Sequence, residues 1–203
     1  MKIIDCVQGS QEWHDARRGV PTASEFQRIL PPKTRKAGAG ARSYLEELVG
    51  DKFSIYYREN AEHFTNRAVR WGQQTEAEAR KWYSLETNLD VEQVGFVLSD
   101  CGRFGCSPDG LVGEDGGLEL KCPQANTHVR YLLDGELPLD YWGQVHGALI
   151  VTGRAWWDFL SYAPGLPPLL VRVTPNDYTE ALRKELDVFW EQLESALELV
   201  GSR

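Results

Sequence analysis

RFGCSPDGLVGEDGGLELKCP, residues 103–123, is the stretch that decides how this chain folds. Gly110, Gly113, Gly116 and Gly117 permit the positive φ that a tight return needs, so the stretch reads as strand, turn and strand, with Asp109 opening the turn. Glu119 and Lys121 are two apart and leave the returning strand on one face. Leu118, Leu120 and Cys122 leave it on the other. One face is then expected to be buried and the other to be a working face.

Such a hairpin can bring Asp109 beside Glu119. Two carboxylates about 4 Å apart repel by roughly 4 kcal/mol at an effective dielectric near 20. A bound cation relieves that repulsion, and hard oxygen ligands suit Mg²⁺ or Mn²⁺. Lys121 adds an ammonium group able to position or polarise a water. A metal, a water and a cationic helper are the parts of phosphodiester hydrolysis. From spacing alone a second reading stays open, a solvated hairpin with charges on its open face.

The 203 residues fit one domain, 1–203, with a good core. Apolar content of 42% and seven tryptophans indicate a folded globule and exclude a disordered tail. No run of eighteen apolar residues is present, so no transmembrane helix is expected. The start, MKIIDCVQGSQEW, lacks the apolar core of a signal peptide, and a cytoplasmic location is expected. Cys6, Cys101, Cys106 and Cys122 lack C-x-x-C spacing, which speaks against zinc and iron–sulfur sites and for reduced thiols. The net charge of −8 opposes general nucleic-acid affinity. Its distribution qualifies that. Residues 1–83 carry 14 basic and 11 acidic side chains, a balance of +3, and the remainder carry 8 and 19, a balance of −11. A polyanion would be met by the N-terminal part.

Outward from the hairpin, residues 10–30 read as two short helices. Ser10 caps the first, and Thr22 caps the second with Glu25 completing a capping box. The basic run Lys33 to Arg42 reads either as a solvated loop or as an arm touching phosphates. Residues 43–57 and 62–85 read as helices, the second buried along Phe64, Ala68, Trp71, Thr75, Ala79 and Trp82. Glu76 falls at the border of that stripe, where an ordinary surface glutamate and an active-site carboxylate are both at home. Gly72, one turn earlier, leaves room for an approaching group. Residues 91–98 read as a strand and 124–134 as a helix. Residues 138–152 form a further helix closed by Gly153, with Gln144 and His146 flanking its inner face. Strands are expected at 155–162 and 169–173. A last helix starts with Pro175 at its first position and buries Leu182, Leu186, Phe189, Leu193, Ala196 and Val200. This order gives an α/β or α+β fold, a mixed central sheet flanked by helices.

Three clusters then match one family. They are Trp13-His14-x-x-Arg17-x-Gly19-Val20-x-Thr22-Ala23-Ser24-Glu25, Trp71-Gly72-x-Gln74-x-Glu76, and Ser107-Pro108-Asp109-Gly110-Leu111 with Gly117-Leu118-Glu119-Leu120-Lys121-Cys122-Pro123. Gln144-Val145, Val151-Thr152 and Ala155-Trp156 follow in the same order. The chain resembles phage lambda exonuclease and the YqaJ-type viral recombinase nucleases, within the PD-(D/E)xK or restriction-endonuclease-like superfamily. That resemblance implies a restriction-endonuclease-like core. Asp109, Glu119 and the Leu120 carbonyl would be metal ligands, completed by Glu76. Lys121 would orient or activate the attacking water and Gln144 would orient the site. Arg17 and Ser24 would hold a terminal 5′-phosphate, with Lys33 and Arg35 as further DNA contacts.

The activity so implied is a Mg²⁺-dependent 5′-to-3′ exonuclease on linear duplex DNA, using two ions per site with Mn²⁺ able to substitute. It would release mononucleotides and leave 3′ single strands for annealing. A ring-shaped homotrimer, a single-strand annealing recombinase as partner, and a phage or prophage origin in a bacterial host belong to the same implication. A restriction or repair endonuclease on this fold, and a silent DNA-end-binding scaffold, are the alternatives.

Overall fold

The computed structural model describes residues 1–54 and 67–202, with residues 67–74 described by backbone alone. In chain order the elements are β1 (Lys2–Ile4), α1 (Gln11–Arg17), a 3₁₀ turn (Ala23–Glu25), α2 (Phe26–Ile29), α3 (Ala39–Phe53) and α4 (Arg67–Thr87). Then come β2 (Val91–Glu92), β3 (Phe96–Leu98), β4 (Gly105–Cys106), β5 (Gly110–Val112), β6 (Gly116–Lys121) and α5 (Ala125–Asp134). A second 3₁₀ turn (Leu139–Tyr141), α6 (Trp142–Thr152), β7 (Trp156–Ser161), β8 (Leu169–Val173) and α7 (Asp177–Gly201) complete the chain.

A five-stranded sheet runs β2-β5-β6-β7-β8, antiparallel throughout except for the parallel β6–β7 pair. The parallel pair needs a crossover, and α5 and α6 supply it. A separate antiparallel sheet runs β1-β3-β4. The expected mixed sheet flanked by helices is present.

The hairpin forms as the sequence indicates, but with a different role for its glycines. Only Gly113, at φ 53°, takes the left-handed conformation, within the turn that separates β5 from β6. A Cβ on Gly110, Gly116 or Gly117 would lie 2.1–2.3 Å from Val91, Trp156 or Trp157. These three are small because neighbouring side chains cross over them. Asp109 does not open the turn. It precedes β5, and the pairing Gly110↔Leu118 sets it across from Glu119. Arg154 closes the turn by donating to the carbonyls of Gly113 at 2.7 Å and Gly116 at 2.6 Å.

The single strand expected over residues 91–98 is two. Val91–Glu92 joins the large sheet, and Phe96–Leu98 joins the small one. The change of sheet occurs at Gly95, where a Cβ would lie 2.1 Å from the Cys6 carbonyl oxygen. Nor does β6 have a working face open to solvent. Both of its faces are covered, since it is an inner strand of a sheet with helices on each side. Leu118 and Leu120 pack with Ala79, Tyr83, Val112 and Leu160 on the α4 side. The opposite face of the sheet meets the larger core, where Trp157 and Phe159 pack with residues of α2, α3, α6 and α7.

Helix ends follow local chemistry. Ser10 caps α1 by accepting from Trp13 N. The Thr22–Glu25 capping box is absent, because the Thr22 hydroxyl instead accepts from Arg17 and lies 3.3 Å from Ser24 Oγ. Helix α3 starts at Ala39, absorbing the end of the basic run, and residues 55–57 of the expected helix lie outside the described ones. In α4, Thr75 and Ala79 are buried and Trp82 is partly so. Phe64, the side chains of Ala68, Trp71 and Gln74, and the room expected at Gly72 lie outside what is described. Helix α7 starts one residue beyond Asn176, whose side chain makes a capping box with Thr179, so Pro175 precedes the helix instead of opening it. Its inner stripe is Leu182, Leu186, Phe189 and Leu193, while Val200 is exposed.

Helix α6 is buried nearly all round, beyond the single inner face expected. Gly143 and Gly147 allow this, because a Cβ on either would lie 2.4–2.5 Å from Gln27 N or the Phe26 ring. The close seating of α6 on α2 carries Gln144 to the sheet.

Candidate active site

Asp109, Glu119, Lys121 and Gln144 meet at the end of β6. Asp109 Oδ2 accepts from the backbone N–H of Leu120 at 2.6 Å. Glu119 is 2% exposed, and its Oε1 accepts from Gln144 Nε2 at 2.7 Å and pairs with Lys121 Nζ at 2.5 Å. Lys121 Nζ also stands 5.2 Å from the centre of the Tyr141 ring, a contact the sequence did not single out. The N–H and C=O of one strand residue leave on the same side. The Leu120 carbonyl therefore faces the side of Asp109, beyond the end of β5, as a ligand role requires.

Burial and like charge set the electrostatics of the cluster. Burial raises the Asp109 carboxyl to about 8, the Glu119 charge adds to the rise, and Lys121 opposes it. Burial raises Glu119 as well, again against Lys121. Burial works against the Lys121 ammonium, yet Glu119 and Asp109 outweigh it and hold the amine charged above its ordinary range. The charge of Glu76 raises both acids further. Lys121 is the cation paired with Glu119, Arg17 and Arg80 stand in the flanking clefts, and a divalent cation with oxygen ligands would further relieve the repulsion among Glu76, Asp109 and Glu119. Among the described residues no group of three or more acidic, imidazole or thiol side chains is arranged to hold a metal ion. The donor set of buried Glu119, half-buried Asp109, a nearby third carboxylate and a backbone carbonyl fits Mg²⁺ or Mn²⁺ with waters retained.

Two clefts flank this cluster. The first, of about 240 Å³, is lined by Arg17, Ser24, Ser107, Glu119 and Gln144 among others. Arg17 is held in it from several sides. Its guanidinium lies 4.2 Å from the centre of the Trp13 ring and donates to Ser107 Oγ at 3.0 Å and Thr22 Oγ1 at 3.3 Å. Trp13 Nε1 donates to the same Ser107 Oγ at 2.8 Å. The second cleft, of about 740 Å³, is lined by Gln8, Glu76, Arg80 and Asp109 among others. Trp13 and Pro108 line both clefts and form the ridge between them. Glu76, half-buried at the border of its helix, faces the Asp109 side.

The structure thus brings Asp109, Glu119, Lys121, Gln144 and Leu120 together, with Glu76 on one flank and Arg17 and Ser24 on the other. It does not bring Lys33 or Arg35 there. Both are exposed and line neither cleft, and Arg35 lies 6.0 Å from the Tyr178 ring. His128 and His146 are structural. His128 contacts Ser161 and the Pro167 carbonyl, and His146 contacts Thr179. Sequence reasoning missed Ser107 and Trp13 as supports of Arg17, and missed Arg80. The last was legible, since Arg80 lies four residues beyond Glu76 and so on the same helix face.

Residues 12–155 match the model of a YqaJ-like viral recombinase domain. The crystal structure of an alkaline exonuclease from Laribacter hongkongensis superposes with a TM-score of 0.78 at 31% identity, over 95% of this chain and 97% of that one. The same enzyme in complex with dAMP also gives 0.78 and 31%, over 94% and 96%. A phage related exonuclease from Haemophilus somnus 129PT shares the fold, with a TM-score of 0.63 at 12% identity over 90% of this chain and 98% of that one. No curated protein sequence matches significantly. The mixed sheet, the family model matched over residues 12–155 and a relative matched along nearly its whole length agree, and this chain belongs to the family of YqaJ-like viral recombinase domains.

Proposed function

We propose that the chain is a metal-dependent exonuclease that digests one strand of linear duplex DNA from its 5′ end, releasing mononucleotides and leaving a 3′ single strand. The observation that carries this reading is the adjacency of the Asp109–Glu119 pair to a small cleft containing Arg17 and Ser24. A guanidinium fork and a hydroxyl suit a terminal phosphate. A volume of about 240 Å³ suits the end of one strand, its terminal nucleotide. The relative with dAMP bound is an exonuclease in complex with a mononucleotide, the product class proposed here.

Asp109, Glu119, the Leu120 carbonyl and Glu76 would hold the metal, two Mg²⁺ ions or Mn²⁺ in their place. When bound, these ions supply charge neutralisation at the phosphate and a water of lowered pKa. Lys121, paired with Glu119, would orient the attacking water. Gln144 fixes the Glu119 carboxylate through its 2.7 Å hydrogen bond. Arg17, braced by Trp13 and Ser107, grips the terminal phosphate and so places the first internucleotide bond at the acids. A ring-shaped homotrimer, a single-strand annealing recombinase as partner and action in the cytoplasm of a bacterial host complete the proposal.

Linear duplex labelled separately at each end, incubated with Mg²⁺ and with chelator, tests it. Label is expected to leave the 5′ end first, as mononucleotide, and only with the ion. Cleavage of covalently closed circular duplex would mark an endonuclease instead. Binding to ends without hydrolysis at any metal concentration would mark a scaffold.

A further inference from the structure

Beyond Glu76 and Asp109 the second cleft has no role in the reading above, and Arg80 is its one basic lining residue among those described. Arg80 is half-buried, and its Nε is sealed from solvent with no hydrogen-bond partner. Its guanidinium makes one long contact, 3.4 Å from Nη2 to the Asp109 backbone carbonyl. No carboxylate pairs with it within the described residues, although Glu76 stands one helical turn away and Asp5 and Asp109 line the same cleft. A guanidinium left so poorly satisfied beside the acids is a donor set awaiting an anion.

The arrangement of the two clefts says which anion. Glu119 opens on the first cleft and Asp109 on the second, with the Trp13–Pro108 ridge between them. A strand with its terminal phosphate at Arg17 and its first internucleotide phosphate at the acids occupies the first cleft with a single nucleotide. The rest of that strand must leave on the far side of the acids, through the cleft of about 740 Å³ that borders Asp109. We infer that this second cleft receives the strand retained after each cut, and that Arg80 contacts the phosphate immediately 3′ of the scissile one. The three carboxylates in the cleft do not oppose this, because the strand enters with the cations that the acids already require. The inference rests on the exonuclease reading, and it adds a second phosphate site that gives grip on the substrate between cuts.

Two 5′-phosphorylated linear duplexes test it. One is unmodified, and the other carries a neutral methylphosphonate in place of the phosphate immediately 3′ of the first scissile one. Release of the first nucleotide is measured as kcat/KM. The wild type is expected to cleave the neutral substrate about tenfold more slowly, the loss of one charge-assisted hydrogen bond. Arg80→Gln is expected to cleave both substrates at the same reduced rate, and Arg80→Lys to restore part of the preference. A purely structural Arg80 would slow both substrates together and leave the preference intact, which overturns the inference while exonuclease activity persists. A wild type indifferent to the methylphosphonate overturns it without any variant. A wild type that releases no nucleotide from either substrate overturns the exonuclease reading itself.

Discussion

Arg17 and Ser107 meet at 3.0 Å although ninety positions of chain separate them. Ser107 Oγ accepts from the guanidinium and from the indole of Trp13 together, so one hydroxyl fixes both the charge and the ring stacked on it. Ser107→Ala removes that acceptor. The ratio of rates on 5′-phosphorylated and 5′-hydroxyl ends is expected to fall several-fold, with a stability cost of about 1–2 kcal/mol for the donors left short. Arg17→Ala is expected to abolish the ratio. End-labelled duplexes of both kinds measure it, and an unchanged ratio in Arg17→Ala removes the phosphate pocket.

Glu119→Ala and Lys121→Ala are each expected to abolish turnover. Circular dichroism and thermal melts separate that from unfolding. Either variant, folded and as active as the wild type, would show the site to be misassigned.

The buried acids give the ion-free protein an unusual pH response. The Asp109 carboxyl is raised from 3.8 to about 8, so between those values the folded chain holds a proton that the unfolded chain has lost. Stability therefore falls as pH rises through this window. With chelator present, Tm is expected to drop between about pH 5 and pH 8, and Mg²⁺ to restore more of it at pH 8 than at pH 5. Asp109→Asn should flatten the drop. A chelated Tm that rises steadily to pH 8 contradicts the assignment.

His146 acts with the opposite sign. Burial lowers its imidazole from 6.5 to about 4. The unfolded chain binds the proton first, so the contribution is present above pH 6.5 and is lost as pH falls towards 4, on the order of 2–3 kcal/mol in all. NMR titration of the His146 ring in the folded protein is expected to show an inflection near 4.

Away from the acids, Asp158 is 1% exposed and is held by Arg172 through two bonds of 2.8 Å and by the Tyr83 hydroxyl at 2.7 Å. Arg172 in turn stacks on Trp156 at 3.7 Å. Arg172→Ala leaves a buried carboxylate with one neutral donor, and is expected to cost about 2–3 kcal/mol in a denaturant melt without altering the 5′-phosphate preference.

The hairpin, the acid pair and its amine were legible because alternation along β6 and the turn at Gly113 are local signals. Helices α5, α6 and α7 were legible for the same reason. The split of residues 91–98 into two sheets was not, because it follows from Cys6 pressing on Gly95, a contact between distant parts of the chain. The burial of both faces of β6 was hidden likewise, since Glu119 and Lys121 look like surface charges until their mutual pairing is seen. Three glycines called for tertiary neighbours, not turns, and sequence cannot separate those demands. The Asp158–Arg172–Tyr83 group and the brace of Ser107 on Arg17 join residues too far apart for any periodicity to connect them.

The parallel pairing of β6 with β7 has a bearing on synthesis. Glu119 lies opposite Phe159 and Lys121 opposite Ser161, so the strand that bears the acid and its amine is enclosed only once the ribosome has passed residue 161 and the crossover has docked. Until then a growing chain exposes an incomplete centre. The cluster of acids and amine therefore assembles only when strands from both sides of the crossover are present.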